Sequence, residues 1–170
     1  MYLADIGDND RKRPFLTVYV VVEPRLDETA RTIASRSFRY RYPDGPDNAE
    51  AFAVLPDGAI ARAIASGEVL TAEYARDSGI RPNPGIGLLA TGADVSPDGT
   101  TLAVRTYNEV FFFRAVLRDG SVDWTGPAKP CFLGEAESQG EAIAYLDRDT
   151  LLLTSERGRG AAGLIHRLRC

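Results

Sequence analysis

Thr-Gly-Ala-Asp-Val-Ser-Pro-Asp-Gly at residues 91–99 is the stretch that decides the fold. Its small and apolar residues alternate and then enter a tight acidic turn, which is typical of a strand that leads into a hairpin. Two related phrases are Ala-Glu-Ala-Phe-Ala-Val-Leu-Pro-Asp-Gly at 49–58 and Gly-Glu-Ala-Ile-Ala-Tyr-Leu-Asp at 140–147. Such repetition indicates that the chain is an array of one supersecondary unit.

The spacing of these phrases favours a β-propeller. When their turns are aligned, Glu50, Thr91 and Glu141 occupy equivalent positions, at intervals of 41 and 50 residues. One four-stranded propeller blade takes roughly 40 to 50 residues. A parallel β-helix would have a much shorter period. An immunoglobulin-like sandwich is the main alternative, but it does not predict a recurring phrase.

The rest of the chain is interpreted mostly as strands and turns. Alternating or β-branched runs between turn residues predict strands. These runs are 1–6, 15–22, 32–42, 49–55, 93–96, 101–106, 109–117, 121–124 with 130–133, 141–145, 150–155 and 164–168. Residues 59–75 are ambiguous, because their alanines suit a helix while Ser66-Gly67 suits a hairpin turn; two strands are predicted there.

The predicted architecture is a single all-β domain over residues 1–170. It is a partial β-propeller of about three to four four-stranded antiparallel blades. The approximate blades are 1–46, 47–90, 91–137 and 138–170.

Composition excludes several classes of protein. The 170 residues carry a formal net charge of −4, so no overall positive field attracts nucleic acid. No apolar run approaches the roughly 20 residues that a membrane helix needs, so no membrane span is predicted. The first residues lack the basic start and apolar stretch of a signal peptide. The chain also begins inside a structural unit, which is compatible with a missing leader, so localisation stays open.

The sequence has few residues typical of common enzyme sites. Cys131 and Cys170 lack a metal-ligand spacing and are too few for a disulfide scaffold, so a half-buried thiol and a terminal thiol are predicted. His166 is the single histidine, which argues against a His-based metal site or catalytic dyad. No Gly-x-Ser-x-Gly elbow or Gly-x-x-x-x-Gly-Lys phosphate loop is present.

At 95–104, Val-Ser-Pro-Asp-Gly-Thr-Thr-Leu-Ala-Val, the chain resembles the WD40-like, TolB-type propeller repeat. In that repeat a Ser-Pro-Asp-Gly turn joins the inner two strands of a blade. The acidic turns at 5–9, 92–95 and 139–143 are similar to those of phytase-like and esterase-like propellers of bacteria. The resemblance covers nearly the whole chain, with 59–90 the poorest match. It implies calcium at acidic channel and rim positions, and a secreted or periplasmic full-length parent.

The number of repeats departs from that family. Such propellers have six or more blades, whereas about three and a half are counted here. Ring closure removes exposed sheet edges, and an open half-propeller would expose them. The prediction is therefore a truncated chain, a partner that completes the ring, or a self-associated closed dimer of halves.

Acidic residues are predicted to converge at the channel mouth, because the first strands of successive blades line the channel. The predicted metal ligands are Asp5, Asp8, Asn9, Glu50, Asp94 and Glu141. Their carboxylate and amide oxygens suit Ca²⁺ at about 2.3–2.6 Å. The alternative is that these side chains cap turns by accepting hydrogen bonds from backbone amides.

Arg105 and Tyr107 are the predicted ligand-binding residues, near Asp94 on a second strand. An arginine there suits a bidentate grip on an anion. The alternative is an arginine–carboxylate bridge between blades, and Glu156 with Arg157 offers the same choice.

The leading functional prediction is a binding or scaffolding module. Its acidic mouth, with Ca²⁺ bound there, would take a protein or a small anionic ligand. The first alternative is a calcium-dependent, phytase-like phosphoesterase, in which bound cations neutralise phosphate and activate water. The second is a fragment without independent function. Catalytic residues are not identified, and Ca²⁺ is the one cofactor predicted.

Overall fold

The computed structural model of the chain describes residues 1–25, 27, 34–55, 59–74, 77–80, 90–118, 121–128, 130–133, 139–157 and 163–170. As predicted, β strands make up most of the regular structure; one short helix accompanies them among these residues. The chain divides into two compact units. Unit 1 is residues 1–49 with 57–75, and unit 2 is residues 50–56 with 76–170. No helix in the described ranges is long and apolar enough to cross a membrane.

Unit 1 is built on one four-stranded sheet. Its elements are β1 (Tyr2–Asp5), β2 (Leu16–Val21), β3 (Ala34–Arg41), α1 (Ala59–Ser66) and β4 (Val69–Thr71). The strands lie in the order β1-β2-β3-β4. β1, β2 and β3 are antiparallel, which confirms the strands predicted near 1–6, 15–22 and 32–42. β2 supplies buried apolar side chains, among them Leu16 and Val18.

The predicted strand at 49–55 is wrong, and of the two strands predicted in 59–75 the first is replaced by a helix while the second is present as β4. Residues 49–55 form no strand, although 51–55 are half-buried. Residues 59–66 form α1, because its four alanines favour a helix and Ile60 and Ile64 fall on one helical face; Gly67, with a φ of 67°, ends it. The helix carries the chain back so that β4 pairs with β3 in parallel, not as a hairpin.

Unit 2 contains two antiparallel sheets. The second sheet comprises β5 (Gly92–Val95), β6 (Thr101–Arg105), β7 (Glu109–Arg118) and β8 (Ser121–Thr125), with β9 (Cys131–Phe132) also paired to β7. The third comprises β10 (Gly140–Tyr145), β11 (Leu151–Ser155) and β12 (Ile165–Leu168). The strands predicted in 93–124 and 141–168 are confirmed to within a few residues. β5–β8 and β10–β12 each follow in consecutive order and so form meanders, whereas β9 departs from that order because it pairs with β7.

The Ser-Pro-Asp-Gly turn between β5 and β6 is held by its own side chains. Asp98 Oδ1 accepts hydrogen bonds from Ser96 Oγ at 2.7 Å and from Thr100 Oγ1 at 2.7 Å. Ser96 Oγ in turn accepts from the Thr101 amide at 2.9 Å. The hydrogen bonds from Thr100 and Ser96 lower the pKa of Asp98 to about 2. These polar groups therefore build the hairpin.

The core of unit 2 lies between its two sheets. Side chains from β6, β7, β10 and β11 form one buried apolar cluster, namely Ala103, Val110, Ile143, Leu151 and Leu153. Burying an aliphatic side chain of this size contributes about 1.5–3 kcal/mol. The cluster packs one sheet against the other and so fixes the positions of their first strands.

β5 and β10, the first strands of the two sheets, approach each other closely. Thr91 Oγ1 donates a hydrogen bond to the Gly140 carbonyl at 2.7 Å, in a buried position. The Tyr145 amide donates to Asp94 Oδ2 at 2.7 Å. Gly92 permits this approach, because a Cβ added there would lie 2.7 Å from the carbonyl oxygen of Glu141.

We expect Gly92→Ala to lower the free energy of unfolding by about 1–3 kcal/mol, because the added methyl group must push β10 away from β5. Urea denaturation measures the change. Gly7→Ala is the matched control, since a Cβ there meets nothing nearer than 4.0 Å. If the two variants were equally stable, the close approach of the strands would be refuted.

Cys131 and Cys170 form a disulfide, so the prediction of two separate thiols is wrong. The cysteines are 39 residues apart in sequence, a spacing that says nothing about their distance in the fold. They meet because β9 pairs with β7 at one side of unit 2 and Cys170 follows β12 of the third sheet. The bond therefore links the two sheets covalently.

Candidate functional site

Three carboxylates of unit 2 act on one another electrostatically near one end of β10 and β11. We call Glu50, Glu141 and Glu156 the acidic cluster. Glu141 is half-buried on β10, and Glu156 follows β11 directly. Gly140 pairs with Ser155, and the Glu156 amide donates to the Gln139 carbonyl at 2.9 Å, so the two segments run side by side here.

The electrostatics of Glu141 show that the cluster is crowded with negative charge. Burial raises the pKa of Glu141, and the carboxylates of Glu156 and Glu50 raise it further. Gln139 Nε2 donates to Glu141 Oε1 at 2.9 Å and, together with the positive charge of Arg105, opposes that rise. The net effect raises the pKa of Glu141, because burial and like charges disfavour its ionised form; a cation bound here would relieve that repulsion.

Tyr107 lies beside the acidic cluster, in the turn between β6 and β7. Burial raises its pKa, and the charges of Glu141, Glu50 and Glu156 act in the same direction. The phenol therefore remains protonated at neutral pH. It is a neutral hydroxyl on which the charges of the three acids act. The prediction that Tyr107 lies on a strand is wrong, because β6 ends at Arg105, and its nearness to Asp94 stays a prediction.

Arg105 is fully buried behind this cluster and braces the two sheets. Its Nη1 donates to the carbonyl oxygens of Ala142 and Thr154, both at 3.1 Å. Its Nε donates to the Thr106 carbonyl at 3.2 Å, and Nη2 lies 3.5 Å from the Tyr107 carbonyl. These contacts are structural. The grip on an anionic ligand stays a prediction.

Asp94 lies away from the acidic cluster. Its Oδ2 accepts from the Tyr145 amide, and its Oδ1 accepts from the Val95 amide at 2.9 Å. Tyr145 is four residues along β10 from Glu141, which corresponds to roughly 13 Å. The structure therefore separates Asp94 from Glu141, and the carboxylate of Asp94 joins β5 to β10.

Asp8 belongs to a loop of unit 1 and caps backbone groups. It is 6% exposed, and its carboxylate accepts from the amides of Arg13 at 2.8 Å and Lys12 at 3.1 Å. Burial acts to raise the pKa of Asp8, but the two amide hydrogen bonds outweigh it and the pKa is lowered. This geometry matches the alternative of a turn-capping side chain.

Asp5 and Asn9 lie in the same part of unit 1. Asp5 forms a bidentate ion pair with Arg13 at 2.7 and 2.8 Å, and this hydrogen-bonded partner lowers the pKa of Asp5. Asn9 Oδ1 accepts from Asn48 Nδ2 at 3.1 Å, while Asn48 Oδ1 accepts from the Asp8 amide. Each predicted ligand here thus has a protein partner.

The predicted ligands therefore fall into three places. Glu50 and Glu141 belong to the acidic cluster, and Asp94 belongs to the contact between β5 and β10. Asp5, Asp8 and Asn9 lie in unit 1. Within the ranges that the structure describes, no three His, Cys, Asp or Glu side chains form a group that could hold a metal ion. The calcium site stays a prediction.

Sequence reasoning left two features of unit 2 outside its predicted site. The sequence pattern treats Glu156 only as a neighbour of Arg157, although the pairing of β10 with β11 brings it close to Glu141. It treats Gln139 only as part of an acidic turn. Pairing residues 140–145 with 151–155 as two antiparallel strands would have grouped both residues with Glu141.

Comparison of the chain with protein-family models, with curated proteins and with solved structures finds no significant match in any of the three.

Proposed function

We propose that this chain is a binding module whose recognition site is the acidic cluster beside Tyr107. The repulsion that Glu50 and Glu156 exert on the half-buried Glu141 carries the proposal. Two of these residues, Glu50 and Glu156, are exposed, so a ligand can reach them without opening the fold. The ligand is positively charged. Ca²⁺, to which carboxylate oxygens are suited, would have to draw the three side chains together, because as they lie among the described residues they form no metal-holding group.

The sheets of unit 2 support a propeller-like framework for this site. β5–β8 and β10–β12 are antiparallel meanders, and their first strands lie side by side. In a propeller these first strands line the central channel. The acidic cluster then occupies one mouth of that channel, with further blades supplied by a partner or by a second copy of the chain.

The disulfide supports a secreted or periplasmic location for the module. Disulfides persist in oxidising compartments and are rare in the reducing cytosol. The Cys131–Cys170 bond is therefore in keeping with the location implied by the family resemblance.

The phosphoesterase alternative has less support. It needs basic side chains at the acidic cluster to hold a phosphate group. Arg105 was the predicted candidate, and its hydrogen bonds to carbonyl oxygens occupy it in joining the sheets.

We expect CaCl2 to raise the melting temperature of the protein by several degrees. A ligand at about 100 times its Kd stabilises the folded state by roughly 2.7 kcal/mol, provided that it does not bind the unfolded chain. Differential scanning calorimetry in millimolar CaCl2, compared with NaCl of equal ionic strength, measures the shift. Glu141→Gln should remove most of it.

Glu73→Gln is the control, because it makes the same change of charge at an exposed position in unit 1. It should retain the calcium shift in full. A melting temperature that does not respond to calcium, or that responds equally in both variants, would contradict the proposal.

A further inference from the structure

Unit 2 contains a cleft at the other end of its strands from the acidic cluster. Its volume is about 720 Å³, within the range of roughly 300–1,000 Å³ that is usual for small-molecule sites. The lining comes from both sheets and comprises Thr101, Phe112, Pro130, Cys131, Tyr145, Arg148, Asp149, Leu151, Arg169 and Cys170. The cleft is thus distinct from the site proposed above.

The floor of the cleft is apolar, whereas its rim carries charged side chains. Phe112 and Pro130 are half-buried and present apolar surface, whereas Leu151, at 3% exposed, belongs to the buried core at the base of the cleft. The disulfide of Cys131 and Cys170 forms part of the wall. Such a surface accepts a flat apolar body, because contact removes apolar area of both partners from water.

Two arginines give the rim a positive charge. Arg148 Nε lies 3.5 Å from Asp98 Oδ2, and its side chain is 77% exposed. Arg169 Nε donates to Thr150 Oγ1 at 3.1 Å. A guanidinium carries five N–H donors, and each of these contacts engages the Nε group.

The other polar groups of the described lining include an acid and a phenol. Asp149 is the one acidic side chain among the described lining residues, while Asp98 and Asp147, on which Arg148 and Arg169 act, lie outside the lining. Tyr145 contributes a phenol whose pKa is raised to about 12, mainly by burial and then by Asp94 and Asp98. Its hydroxyl is therefore neutral at pH 7 and can donate a hydrogen bond to an acceptor.

From this arrangement we infer that the cleft binds a small amphipathic anion, with an aromatic or aliphatic body and one anionic head group. The body lies on Phe112 and Pro130. The head group lies at the rim, where Arg148 and Arg169 donate charge-assisted hydrogen bonds. Neither the acidic cluster nor any calcium takes part.

The test uses the oxidised full chain and the fluorescent anion 1-anilinonaphthalene-8-sulfonate. We expect one saturable site with a Kd on the order of tens of micromolar, which is reasonable for a ligand of that size. The neutral analogue without the sulfonate, N-phenyl-1-naphthylamine, should bind at least about tenfold more weakly, since it forgoes the charged contacts.

The matched variants are two pairs of arginine substitutions. Arg148→Gln with Arg169→Gln should weaken binding of the sulfonate about tenfold or more, with little effect on the neutral analogue. Arg36→Gln with Arg157→Gln makes the same change of charge at exposed residues outside the lining and should leave the Kd unchanged. Circular dichroism confirms that each variant is folded.

Three outcomes would overturn the inference. The first is the absence of saturable binding up to millimolar sulfonate. The second is equal affinity for the sulfonate and its neutral analogue, which is measured on the unmodified protein and so does not depend on any variant's folding. The third is a Kd that is the same in both arginine pairs.

Discussion

Arg105→Met is expected to lower the free energy of unfolding by about 2–4 kcal/mol. The side chain is 0% exposed, and its guanidinium satisfies carbonyl oxygens on β10 and β11. Methionine fills similar space but cannot donate. Each buried carbonyl that loses its donor costs about 1–3 kcal/mol, partly offset because a buried charge is also removed.

Arg105→Lys separates the role of charge from that of geometry. Lysine keeps the positive charge. Its single ammonium group cannot replace the planar guanidinium, which donates to carbonyl oxygens on two strands. We expect a loss of stability close to that of methionine. Urea denaturation gives the comparison, with Arg114→Met, at an exposed position on β7, as the control near zero.

The opposite result would be informative. If Arg105→Met were as stable as Arg114→Met, the carbonyl oxygens of Ala142 and Thr154 would have other partners, and the bracing role of Arg105 would be wrong.

Removal of the disulfide is the second large effect. We expect Cys131→Ser with Cys170→Ser to lower the free energy of unfolding by about 3–4 kcal/mol. The bond closes a loop across 39 residues of sequence, and a cross-link of that span removes a corresponding amount of chain entropy from the unfolded state. Guanidinium denaturation of the oxidised protein and the double variant measures the difference.

Reduction provides the matching control. Dithiothreitol should destabilise the unmodified protein to about the level of the double serine variant, and it should not change the variant itself. Thiol titration of the denatured, unreduced protein should detect no free thiol. Two thiols per chain in that assay would contradict the disulfide.

The outcome for individual segments shows what a sequence pattern can report. The turn at 97–99 was predicted correctly because Ser96, Asp98 and Thr100 hold it through hydrogen bonds to one another. The run 49–55 has similar alternation but forms no strand. A strand requires a partner backbone, and alternation records only which side chains avoid water.

The candidate site was predictable only in part, for a related reason. The repeated phrase placed Glu141 and Glu50 in equivalent positions, and their charges do act on one another. The same reasoning grouped Asp94 with them, whereas strand register sends it to Tyr145 at the far end of β10. The sequence could not show whether Asp5 and Asp8 bind a metal or cap a turn, since both roles place an acidic residue in the same kind of turn sequence.

The amino-acid sequence alone determined the local features of this protein: antiparallel strands, acidic hairpin turns, and the absence of a basic surface or a long apolar span. These depend on side chains that interact with near neighbours or with water. Only the tertiary structure decided which distant groups meet. It joined Cys131 to Cys170, buried Arg105 among carbonyl oxygens, and brought Glu156 beside Glu141. Such contacts depend on the packing of one sheet against another, which no local pattern encodes.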